Sequence, residues 1–76
     1  MSVQDEAISL MVQNAIAADR RISDQAIVVR VARGEVFLKG IVDKDDQRET
    51  AILVARGTPG VRHVVADELQ VKEAPK

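Results

Sequence analysis

Two runs of alternating side chains, 27–32 and 36–42, flank the pair Arg33-Gly34, and this arrangement limits the fold more than any other feature of the chain. Glycine takes positive φ without steric cost, so Gly34 closes the tight hairpin turn that joins the two runs as strands. Along the second run the side chains alternate, which puts Val36, Leu38, Gly40 and Val42 on one face and Phe37, Lys39 and Ile41 on the other. The first set reads as core. Asp43 follows where a side-chain oxygen can cap a helix, with Asp46 as its capping-box partner and Asp45 adding negative charge near the positive end of the helix dipole.

The remaining segments fall into order around this hairpin. From 4 to 18, Ala7, Ile8, Met11, Val12, Ala15 and Ile16 recur at spacings of three and four, one broad stripe of an amphipathic helix that Ser2 and Asp5 open. Ile22 plugs the core from the connection, and Ile27, Val29 and Val31 alternate with Val28, Arg30 and Ala32 as a strand. A second helix over about 44–56 turns Gln47 or Arg48, Ala51, Ile52, Val54 and Ala55 inward. It ends at Gly57-Thr58-Pro59-Gly60, whose two glycines and proline turn the chain. The last strand, 61–71, loses its alternation near Ala66-Asp67, which predicts a bulge. A strand-helix-strand connection favours a parallel crossover, so the fold class is α+β: a single αββαβ domain with two helices on one face of a mixed three-stranded sheet. The core spans about 4–71, with 72–76 as a polar tail.

Composition removes several functions. Seventy-six residues leave room for one domain, and the absence of cysteine removes disulfide, zinc-ribbon and thiol-redox chemistry. One Phe and no Tyr or Trp leaves no platform for stacking bases, and the net charge of −1 supplies no field for a polyanion, so nucleic acid is not expected. No apolar run approaches the length of a membrane span. An N-terminus with Asp5 and Glu6 in place of basic residues reads as cytoplasmic as written, with the cell envelope as the alternative if the domain belongs to a longer exported protein.

Single residues point to structure before chemistry. His63 stands alone and reads as a strand-face residue, with no metal site expected. Asp43, Asp45 and Asp46 lack the Gly and bidentate Glu of a calcium loop, and 57–60 lacks the lysine of a phosphate-binding loop. Gly40 costs stability inside a strand, so a close approach by the second helix is expected there, while Gly34 and Gly60 are expected to be structural as turn residues. With no nucleophile beside a base and no room for a pocket, neither catalysis nor a cofactor is expected.

The ordered pattern Ile27-x-Val29-x-Val31, Gly34-x-Val36-x-Leu38-x-Gly40-x-Val42, Arg48-x-x-Ala51 and Gly60-Val61-x-x-Val64 ending in Leu69-x-Val71 resembles the BON domain of bacteria, over roughly residues 8–71. The resemblance implies the same αββαβ fold and a non-enzymatic module. Such modules occur in osmotically induced periplasmic proteins, outer-membrane lipoproteins, secretins and channels, and are proposed to bind proteins or phospholipid surfaces. One cytoplasmic branch, paired with a LysM domain, senses potassium.

Two surfaces are therefore candidates. The open sheet face carries Val28, Phe37 and Ile41 beside Lys39, an apolar patch suited to a protein partner or a second copy. Arg20, Arg21 and Arg33 suit an anionic phospholipid surface, as the alternative function. Potassium or small-ligand sensing is a further alternative.

Overall fold

The computed structural model describes residues 2–72, in the order α1 (Val3–Ala18), β1 (Ala26–Ala32), β2 (Glu35–Val42), α2 (Asp45–Arg56) and β3 (His63–Val71). The expected tail lies, from residue 73 onward, outside the described residues. Ser2 caps α1, its Oγ accepting the Asp5 N–H at 3.0 Å. The inward side of α1 is formed by Asp5, Ile8, Val12 and Ile16. Ala7 and Met11, expected on that side, are instead exposed. The helix is apolar around most of its circumference, so spacing alone fits a stripe to either side of the true one.

Ile22 fills the core from the connection and is fully buried. The hairpin turn has Arg33 at φ 55° and Gly34 at φ 80°, both in the left-handed region that a two-residue type I′ turn requires. Ala32 pairs with Glu35 across it, and the antiparallel register continues without a break to Ala26 opposite Ile41.

β2 is central and pairs with β3 in parallel, completing a mixed sheet in the order β1-β2-β3. The predicted bulge is present. Phe37 pairs with Val65 and Lys39 with Glu68, so β3 spends Ala66 and Asp67 where β2 has Leu38 alone. Both helices lie on one sheet face, α1 chiefly over β1 and α2 over β3 and β2. Between the layers Val31, Val36, Leu38, Val42, Ala51, Ala55 and Leu69 are buried. Burying a side chain such as Leu38 or Leu69 contributes about 1.5–3 kcal/mol each.

Two expected local roles change. Asp43 is not the cap of α2: Lys44 holds that position in extended backbone, and its N–H donates to Gln47 Oε1 at 2.9 Å. Asp43 still belongs to the strand exit, where its own N–H donates to Gln25 Oε1 at 2.8 Å. Asp46 therefore gives way to Gln47 as the residue that reaches back. Gly40 is not needed for packing of α2. At φ 134° a side chain there would drive its Cβ to 2.0 Å from the Ala26 carbonyl oxygen, so the close approach comes from the neighbouring strand.

Candidate interaction surface

The alternation that buries Val36, Leu38 and Val42 turns every second residue of the sheet to the uncovered side. There the register sets Arg30, Phe37 and Val65 in one row and Val28, Lys39 and Glu68 in the next, with Ile41 beyond them between Ala26 and Gln70. Val28 is 55% exposed, Ile41 50% and Phe37, at the centre of the face, 37%. The four residues expected to meet a partner, Val28, Phe37, Lys39 and Ile41, are thus brought together on adjacent strands. Lys39 Nζ stands 4.0 Å from Glu68 Oε1, with both side chains largely in solvent, so the pair adds little to stability and leaves both charges open to a partner. Arg30 lies on β1, Lys39 on the central β2 with its ammonium toward Glu68, and Asp67 and Glu68 on β3. The apolar residues therefore have an arginine on one edge strand and two carboxylates on the other.

The three arginines expected to form one anionic-surface site are not brought together. Arg33 sits in the hairpin turn beside the first turn of α1, whereas Arg20 and Arg21 follow its last turn. About 13 helical residues separate the two ends, roughly 20 Å. Arg21 is also engaged, its Nε donating to Asp19 Oδ1 at 3.0 Å and its Nη2 to Oδ2 at 2.7 Å. That fork holds the Asp19 carboxyl below the usual aspartate range and raises the guanidinium further. His63 is exposed at the start of β3. Among the described residues, no group of three or more His, Cys, Asp or Glu side chains converges as metal ligands would, and no helix is long and apolar enough to cross a membrane.

Two residues hold the surface in place, Asp5, expected only to open α1, and Arg48, expected only as an alternative to Gln47 on the inner side of α2. Asp5, 7% exposed, accepts the N–H groups of Arg33 at 3.0 Å and Gly34 at 3.1 Å, fixing the hairpin against α1. Its carboxyl lies below the usual range, first because of the Arg33 N–H, with burial opposing. Arg48 donates from Nε to the Leu69 carbonyl and from Nη2 to the Ala66 carbonyl, both at 2.8 Å. It joins α2 to the bulge residue Ala66 and to Leu69 beyond it, giving both carbonyls of this edge strand a donor. The available signals were a carboxylate in line with Ile8, Val12 and Ile16, and an arginine one turn from Ala51 on the inner side of its helix.

The architecture and its surfaces define a small α+β domain with one sheet face covered by helices and the other left open. The family model of the BON domain matches residues 4–73, and the chain belongs to that family. It is similar to Outer membrane lipoprotein DolP of Haemophilus influenzae, 35% identical over 63 residues, which are 82% of this chain and 33% of that protein. It is also similar to Osmotically-inducible protein Y of Escherichia coli K12, 35% identical over 72 residues, 95% of this chain and 35% of that protein. The chain spans about a third of the length of these curated relatives.

Proposed function

We propose that this BON domain is a non-catalytic interaction module that docks a protein partner on its open sheet face. The observation that carries the reading is Phe37, the only aromatic residue, on the central strand of that face with Val65 beside it and exposed Val28 and Ile41 in the next two rows. An aromatic anchor with apolar neighbours and charges at the rim is the usual layout of a protein-binding patch. The names of the two relatives support a working place at the bacterial cell envelope and a role under osmotic stress.

Affinity capture from extracts of osmotically stressed bacteria tests this, using wild type, Phe37→Glu and the control Leu53→Glu, whose side chain is 61% exposed on α2. A partner retained by wild type and Leu53→Glu but lost with Phe37→Glu supports the reading. Equal retention by all three sinks it.

A second reading, docking to anionic phospholipid, draws on the outer-membrane lipoprotein among the relatives. Here Arg20 and Arg33 act as separate contacts, since Arg21 is occupied by Asp19. Co-sedimentation with anionic vesicles at low salt, lost on Arg20→Glu and Arg33→Glu and absent with neutral vesicles, is the expected outcome. Equal binding to both vesicle types removes it.

A further inference from the structure

A second apolar stripe runs along α1 on the side turned away from the core. Successive residues are rotated by about 100°, so Val3, Ala7, Leu10, Asn14 and Ala17 share the side opposite Ile8, Val12 and Ile16, with Met11 at its margin. All are exposed: Val3 by 83%, Leu10 by 60% and Met11 by 40%. Their spacing alternates four and three, the spacing of a two-helix seam, and the single polar member, Asn14, is of the kind that fixes register in such seams.

We infer that this stripe is a homodimer interface, in which α1 of one copy packs antiparallel on α1 of another about a two-fold axis between Leu10 and Met11. In that register Leu10 meets the other copy's Met11, Ala7 meets Asn14, and Val3 meets Ala18. The pattern is self-complementary, as an isologous contact must be. Small residues at 7, 17 and 18 let the helices approach to about 8 Å.

Charge selects both the occupant and the direction. α1 contains Asp5 and Glu6 and no basic residue, which disfavours an anionic membrane on this stripe. Glu6 is exposed in the first turn and Arg20 is exposed just past the last. Antiparallel pairing brings each Arg20 toward the acidic first turn of the other copy and opposes the helix dipoles, whereas parallel pairing stacks like on like. The seam lies on the opposite side of the molecule from Phe37, so a dimer presents two open sheet faces outward and binds a repeated partner with avidity. The contact is a strip about 24 Å long, small enough for a reversible dimer.

Sedimentation velocity from about 10 μM to about 1 mM reads the equilibrium. Wild type is expected to dimerise reversibly. Leu10→Glu weakens the dimer by about tenfold or more, and Phe37→Glu leaves it unchanged, which separates this seam from the open sheet face. Glu6→Arg weakens it and Glu6→Arg combined with Arg20→Glu restores it. Because the chain has no cysteine, Val3→Cys mixed with Ala18→Cys reports direction by oxidation. Cross-linking between the two variants is expected, with none of Val3→Cys to itself. A monomer at every concentration, a dimer indifferent to Leu10→Glu, or self-cross-linking of Val3→Cys overturns the proposal.

Discussion

Asp5 accepts the N–H of Gly34 at 3.1 Å across 29 residues of chain, tying the first turn of α1 to the tip of the β1–β2 hairpin. The same carboxylate takes the Arg33 N–H, so one side chain serves two donors that the turn leaves unpaired. Asp5→Ala strands both donors, and we expect the melting temperature to fall by about 5 °C or more. Thermal unfolding followed by circular dichroism checks this, and an unchanged midpoint would show the bonds to be dispensable.

The direction of the Asp5 shift sets a pH dependence. Its folded pKa is depressed, so its stabilisation is complete above the unfolded value of about 4 and is lost as pH falls through the folded value. Asp19, held down by Arg21, adds to the same acid window. Stability should therefore be nearly level in this respect between about pH 7 and pH 5 and decline below about pH 4, and Asp5→Asn should flatten that decline. Urea unfolding at several pH values measures it; an identical acid slope in the variant would contradict the assignment.

Arg48 reaches the carbonyl of Ala66 within the β3 bulge and that of Leu69 beyond it. Arg48→Ala leaves both without their donor and should cost about 1–3 kcal/mol. Arg48→Lys should recover only part, because an ammonium lacks the planar fork that spans two acceptors. Equal stability of the lysine variant and wild type in denaturant titration would show that charge alone suffices.

Gly40 and Gly57 make a paired test. A Cβ at Gly40 would lie 2.0 Å from the Ala26 carbonyl oxygen, whereas at Gly57 the nearest atom is 3.4 Å away and φ is −77°. Gly40→Ala should destabilise by about 3 kcal/mol or more, and Gly57→Ala should lie within about 1 kcal/mol of wild type. Comparable losses at both sites would mean that β1 yields readily at Ala26.

Much of this architecture was legible because it rests on local periodicity. The alternation in β1 and β2, the turn at Gly34 and the bulge at Ala66-Asp67 each follow from the period of two or from its interruption, and Ile22 stands out as the one large apolar residue of a polar connection. The inward side of α1 was not legible in the same way, since Val3, Leu10 and Met11 make its outward side as apolar as its core side. The cap of α2 moved to Lys44 because Gln25, 18 residues before Asp43, holds the Asp43 backbone. The roles of Asp5 and Arg48 depend on contacts 18 to 29 residues apart in sequence. Side-chain spacing carries no record of such distances. Of the candidate surfaces, the sheet face followed directly from alternation, while the arginine cluster presumed a proximity that the length of α1 prevents.

The hairpin tip carries one practical consequence. Its Gly34 carbonyl accepts the Arg62 N–H at 2.8 Å, and the Arg62 side chain lies over the glycine while Asp5 holds it from the helix side. Loop tips are the habitual place to graft an epitope or open a chain for permutation, yet here an added peptide would prise three distant segments apart. The exposed bend at Ser23-Asp24 is the permissive site for such engineering.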